Sequence, residues 1–124
     1  LYSSRGNRSV IFMSSIAQLI GEPGLLGYAA AKGALVASCR TLAVELGNKK
    51  IRVNCVSPGW VETSHTSKIR EKLGEDSILE LEHKYPLGFG QPEDIAGICN
   101  FLVSDESKWI TGQEFVIDGG RSIT

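Results

Sequence analysis

Apolar positions fall in runs of two kinds along the chain. Ser9-Val10-Ile11-Phe12-Met13-Ser14 is a short continuous apolar run, the pattern of a strand covered on both faces in a parallel sheet. It opens into a polar, glycine-containing loop. From Leu26 to Leu46 the sequence is rich in alanine and leucine without proline and stops at Gly47-Asn48, which predicts a long, mostly buried helix with a C-terminal cap. Ile51-Arg52-Val53-Asn54-Cys55-Val56 is a second, β-branched run, closed where Ser57-Pro58-Gly59 forces the chain out of a sheet. Residues 64 to 84 are charged and helix-prone, interrupted at Gly74, with no sustained apolar stripe; they predict an exposed, mobile helical excursion. Pro92 suits a first helical turn, Glu93 and Asp94 complement the helix dipole, and Ile95, Ala96, Ile98, Cys99 and Leu102 form one apolar face, predicting a helix of about three turns. Glu114 to Asp118 predicts a last strand before Gly119-Gly120. No internal repeat or low-complexity linker interrupts this order.

The order of strand, helix, strand, helical excursion, helix and strand predicts parallel strands joined by right-handed crossovers, an α/β layered sheet. Ligands in such sheets bind beyond the carboxyl ends of the strands, where Ser14-Ser15 and Ser57-Pro58-Gly59 both fall. The 124 residues, 42% hydrophobic and 22% charged, suit one soluble globular domain or a piece of a larger one. A net charge of −1 with no basic stripe argues against nucleic acid. No apolar run approaches the roughly 20 residues that span a bilayer, and the N-terminus lacks a signal-peptide pattern, so a soluble, cytoplasmic protein is expected. Cys39, Cys55 and Cys99 are widely spaced in apolar surroundings, which suggests a reducing compartment and neither a disulfide framework nor a zinc site. His65 and His83 sit in a polar segment with no familiar ligand spacing and read as solvated surface residues, so no metal is expected. The chain opens on Leu1 with a strand expected within ten residues, as if it began inside a domain; it reads as a fragment.

The stretch 14 to 32, SSIAQLIGEPGLLGYAAAK, carries the candidate chemistry. Tyr28 and Lys32 lie four apart on one helical face, about 5–6 Å between Cβ atoms. A positive charge beside a phenol favours the phenolate, so the pair can exchange a proton near neutral pH. Ser15, at a strand end, can offer a hydroxyl to the same reacting oxygen. These are the parts of carbonyl reduction, except the hydride, which side chains cannot supply and a nicotinamide cofactor can. Alone, a tyrosine four residues before a lysine is far more often an ordinary chance pair on a helix.

In context, the chain resembles the short-chain dehydrogenase/reductase family along nearly its whole length. The resemblance rests on Ser14-Ser15 before a glycine-containing loop, Tyr28-x-x-x-Lys32 thirteen residues beyond Ser15, the segment Asn54 to Thr63 with its Pro58-Gly59, and Asp118-Gly119-Gly120. Tyr85 to Ala96 and Trp109 to Gln113 are most similar to the 3-oxoacyl-acyl-carrier-protein reductase subgroup, with Phe89 where that subgroup often has arginine. The resemblance implies the C-terminal half of a doubly wound Rossmann-type domain over residues 1–124, without the N-terminal dinucleotide-binding half: no Gly-x-x-x-Gly-x-Gly occurs. It implies interconversion of a ketone and a secondary alcohol with NAD or NADP on a small-molecule or acyl-carrier-bound carbonyl substrate. Tyr28 would be the general acid, Lys32 its modulator and the ligand of the nicotinamide ribose, and Ser15 the carbonyl-orienting donor. Pro58 and Gly59 would pass under the nicotinamide, with the Val61 backbone at the carboxamide and Thr63 near the amide or a phosphate. Trp60 reads equally as substrate-facing or as packing. A homotetramer is implied; the small residues Ala30, Ala34, Ala37, Ser38 and Ala43 of the long helix would let a neighbouring helix approach closely, and they read as plain core and as subunit contact alike. The rival reading is a non-catalytic truncated chain that serves at most as an oligomerisation module.

Overall fold

A computed structural model describes residues 2–4 and 7–124. Its four strands are β1 (Tyr2–Ser4), β2 (Asn7–Met13), β3 (Ile51–Pro58) and β4 (Glu114–Ile117), and its four α-helices are α1 (Leu26–Gly47), α2 (Ser64–Leu73), α3 (Glu75–Glu82) and α4 (Pro92–Val103). The strands form one sheet in the order β1-β2-β3-β4. β2, β3 and β4 run parallel, with Val10 opposite Val53 and Cys55 opposite Glu114. This is the α/β layered sheet expected from the apolar runs. β1 was not expected: it pairs antiparallel with β2, Tyr2 opposite Ser9, and so short a strand leaves no apolar signature.

β3 is the covered centre, buried from Arg52 through Ser57. Side chains alternate across a strand. Val53 and Cys55 meet Val36, Cys39 and Ala43 of α1 in the main core, flanked by Val10, Phe12, Leu42, Leu46 and Ile51. The intervening Arg52 and Asn54 serve the opposite side. Arg52, 6% exposed, donates from Nη2 to the carbonyls of Leu102 (2.8 Å) and Ser104 (3.3 Å) at the C-terminal end of α4. The cation thus sits where helix carbonyls lack partners and the dipole is negative. Burial lowers the Arg52 pKa, and the charge of Asp105 works in the opposite direction. Asn54 donates to Ile110 O (3.0 Å) and accepts from Gln113 N (3.1 Å), and Ser9 Oγ donates to Leu102 O (2.8 Å).

Two expectations about burial need correction. The run 9 to 14 is covered on both faces only at Ser9 and Ser14; Val10, Ile11 and Phe12 are half-buried and Met13 is 42% exposed, because α1 centres on β3 rather than on β2. The long helix is not mostly buried. Only Val36, Cys39 and Ala43 are buried, and Val44 is 84% exposed, since one face rests on the sheet while alanines elsewhere give no polar contrast to mark the outer face. The helix end falls where expected: Gly47 is the last helical residue and Asn48 its C-cap, and Lys50, left-handed at φ 54°, then turns the chain into β3.

The excursion is two helices, α2 and α3, meeting at Gly74 with φ 79°, a conformation that favours glycine. α2 exposes its residues almost throughout, and α3 buries Ile78. Pro92 opens α4 as expected, and Asp94 Oδ2 accepts from Gln91 N (2.7 Å). Trp109, in the turn before β4, is 96% exposed. Among the described residues no helix is long and apolar enough to cross a membrane, and no cluster of His, Cys, Asp and Glu is arranged to hold a metal ion. The three cysteines are free.

Candidate active site

β2 and β3 both end at one edge of the sheet, and Ser14 binds the two together there by donating its N–H to Val56 O (2.8 Å). Its hydroxyl donates to Lys32 O (2.8 Å), which pins the second turn of α1 to the end of β2. The Lys32 ammonium reaches back to Met13 O (2.9 Å) and lies 5.7 Å from the centre of the Tyr28 ring. Tyr28 and Lys32 thus lie on one face of α1. Tyr28 is 48% exposed and open to a ligand.

Ser15 caps the short 3₁₀ turn Ile16–Gln18, its Oγ accepting from Ala17 N (3.2 Å). That bond occupies a lone pair and leaves the hydroxyl proton free to donate. The turn is itself anchored by Gln18 Nε2, which donates to Glu114 Oε1 at 2.6 Å; the same oxygen accepts from Ser57 Oγ at 2.6 Å.

On the second loop, Pro58 ends β3 and Gly59 N donates to Ile117 O (2.9 Å). Gly59 is required here by close approach: a Cβ would lie 2.9 Å from Asp118 Cα and 3.0 Å from Tyr85 Cε1. Val61 forms a parallel bridge with Gly90, in which Glu62 N donates to Gly90 O (2.9 Å) and Gly90 N to Trp60 O (3.0 Å). Thr66 Oγ1 donates to Val61 O (2.9 Å), whereas the Val61 N–H has no partner among the described residues. Thr63 caps α2 in a reciprocal box with Thr66: Thr63 N donates to Thr66 Oγ1 (2.7 Å) and Thr66 N to Thr63 Oγ1 (3.3 Å). Thr63 thus has a local structural task of its own.

Trp60 packs. Its ring stacks on Phe89 with centroids 5.0 Å apart and an interplanar angle of 24°, and Tyr85 meets Phe89 edge-on at 5.2 Å. Trp60 N donates to Tyr85 Oη (3.2 Å). Trp60 Nε1 is buried without a partner among the described residues. Burial raises the Tyr85 pKa. Arg70 lies over the Phe89 ring at 5.8 Å and pairs with Glu62. His65 and His83 are exposed.

Glu114, Glu22 and Arg121 shape this edge and were not picked out from the sequence as site residues, and Tyr85 was singled out only within the stretch similar to the reductase subgroup. Arg121 Nη2 donates to Glu22 Oε1 at 2.8 Å across 99 residues, a separation at which no local pattern exists to be read. Tyr85-Pro86 did carry a weak signal, an aromatic residue at a helix exit among glycines.

The family profile described as enoyl-(acyl carrier protein) reductase matches residues 2–122. The 3-oxoacyl-[acyl-carrier-protein] reductase FabG of Thermotoga maritima is 44% identical over 118 residues, covering 94% of this chain and 46% of that protein. A 4-hydroxyisoleucine dehydrogenase complexed with NADH superposes with a TM-score of 0.88 at 32% identity, over 95% of this chain and 48% of that one. A protein of Agrobacterium tumefaciens described as a putative 2-deoxy-d-gluconate 3-dehydrogenase, with bound NADP, superposes with a TM-score of 0.86 at 30% identity, over 94% of this chain and 47% of that one. The chain thus spans about half the length of the relatives it matches.

Proposed function

Because the chain belongs to the short-chain dehydrogenase/reductase family, we propose that it carries the proton-transferring part of an NAD(P)-dependent oxidoreductase that interconverts a ketone and a secondary alcohol. The observation that carries this reading is the Lys32 ammonium held between Met13 O and the face of Tyr28, at the strand end that presents Ser15. In reduction, Tyr28 Oη gives its proton to the carbonyl oxygen, and the nearby Lys32 charge stabilises the phenolate left behind. Ser15 holds that oxygen with the hydroxyl proton its cap leaves unused. In oxidation the proton returns to Tyr28 by the same route.

The free donors at this edge suit a nicotinamide nucleotide. Lys32 spends one N–H on Met13 O, leaving two for ribose hydroxyls, and the unpartnered Val61 N–H suits a carboxamide oxygen. Such a cofactor, when bound, supplies the hydride. Pro58 and Gly59 would lie beneath the nicotinamide, and Thr63 near its amide or a phosphate. The cofactor is NAD or NADP, and the similarity to 3-oxoacyl-[acyl-carrier-protein] reductase makes an acyl-carrier-bound 3-oxo thioester the first candidate substrate, ahead of a free small-molecule ketone. The outer face of α1, where Ala30, Ala34, Ala37 and Ser38 are exposed, suits a second copy of the protein in a homotetramer.

The test is Tyr28→Phe in a chain extended to the relatives' length. Ketone reduction should fall by at least about 10²-fold, the scale of general-acid catalysis, while cofactor binding changes little. Lys32→Ala should damage both. Retention of most turnover by the Tyr28→Phe protein would sink the assignment.

A further inference from the structure

We propose that Arg121, in the last turn of the chain, is a positioning residue that acts through Glu22 to hold Ser15 and Tyr28 in register; this rests on the proton-transfer reading above. Ser15 and Tyr28 must meet one carbonyl oxygen, yet they are joined by a segment with little to hold it. Between the 3₁₀ turn and α1, Leu19 is 54% and Leu25 39% exposed, and Gly24 is left-handed at φ 82°. Among the described residues, the bond from Arg121 Nη2 to Glu22 Oε1 (2.8 Å) is the one side-chain hydrogen bond that residues 19 to 25 make. The pair is shielded, its side chains 13% and 29% exposed, so solvent screens it less than an ordinary surface pair.

The far end of this tie is firmly built. The Asp118 carboxylate accepts from Gly120 N (3.0 Å) and Ser122 N (2.7 Å), which sets the turn that aims Arg121. Asp118 itself packs on Gly59, and Leu87 N donates to Gly119 O (3.1 Å). Thr124 Oγ1 donates to Lys84 O (3.1 Å). The terminal turn is thereby fastened to the loop after β3 and to the segment after α3. Arg121 transmits that anchorage to the loop before Tyr28, while Gln18–Glu114 does the same for the turn after Ser15. Among the described residues, neither Glu22 nor Arg121 bonds to Tyr28 or Lys32, which makes the role one of position. A displacement of the order of 1 Å at a reacting group costs up to about 10²-fold in rate.

The experiment compares Glu22→Gln, Arg121→Gln and the exchanged pair Glu22→Arg/Arg121→Glu in a chain of the relatives' length, with a short 3-oxoacyl thioester and NADPH or NADH as probes. Each single variant should lower kcat about tenfold with cofactor affinity and KM nearly unchanged, and the exchanged pair should recover most of the loss. Amide exchange should quicken at residues 19 to 25 in the single variants and not at 53 to 56. If Arg121→Gln does not fold, Glu22→Gln, on the more exposed partner, carries the same test. Unchanged kcat and unchanged exchange in a folded single variant overturn the proposal, even where Tyr28→Phe abolishes turnover; an active Tyr28→Phe protein overturns the underlying reading instead. Failure of the exchanged pair to recover any activity also counts against it.

Discussion

A methyl group at position 59 has nowhere to go. Asp118 Cα at 2.9 Å is backbone and cannot swing aside, so Gly59→Ala should cost about 1–3 kcal/mol as an overpacking substitution, read as a lower urea midpoint. A midpoint unchanged within error would show that the β4 turn yields. The family resemblance implied a place beneath a nicotinamide for Gly59; the steric need comes from a turn almost sixty residues away, which no local pattern contains. Cys39 is similarly determined by tertiary surroundings. Burial, reinforced by the charge of Cys55, pushes its pKa from 9.0 up to about 11. The folded state therefore holds this proton more tightly than the unfolded chain, which ionises first. The contribution of this thiol to stability should consequently be constant below pH 9 and fall as pH rises from 9 towards 11, measured as the difference from a Cys39→Ala chain in denaturation at stepped pH; the same alkaline slope in both chains would refute this source. At neutral pH iodoacetamide should leave Cys39 and Cys55 unmodified until the protein is unfolded.

β3 was the most legible of the elements because its β-branched residues and its Pro58-Gly59 stop agree, and the same holds for Pro92-Glu93-Asp94 at the start of α4. The link between these two elements was hidden. An arginine inside a strand reads as an edge feature, whereas Arg52 is buried and caps the carbonyls that end α4. Arg52→Ala should destabilise by about 2–4 kcal/mol, since several charge-assisted bonds are lost and buried carbonyls are stranded, and Arg52→Lys should restore only part of that. Equal stability of Arg52→Ala and the parent chain in thermal melts would refute the capping role. α1 was legible as a helix and misread as to burial, because a uniformly alanine-rich surface gives no period from which to tell inside from outside. Its exposed small residues support the proposed association: sedimentation of a chain of the relatives' length at micromolar concentration should show a tetramer, and a monomer there would refute it.

At the scale of the molecule, the parallel order of β2, β3 and β4 brings the ends of two strands and the start of α1 to one edge, so motifs separated by up to a hundred residues share a site. That convergence could be read from element order alone. The ties that tune it, Glu22–Arg121 and Gln18–Glu114, could not, because side-chain pairing over such spans depends on the finished fold. The 124 residues contain no glycine-rich first turn with a helix N-terminus to hold a pyrophosphate. The chain by itself is therefore expected not to bind NADH or NADPH measurably; saturable micromolar binding in a fluorescence titration would show it self-sufficient. The aromatic cluster beside the site offers a further readout. Trp60 is stacked on Phe89 with its indole nitrogen buried, while Trp109 stands almost wholly in water. The two indoles should emit differently, Trp109 red-shifted and quenched by iodide, Trp60 bluer and protected. A Trp109→Phe chain would then hold a single tryptophan at the edge between Gly59 and Val61, so that any ligand settling there announces itself by a change of emission colour without a label being attached.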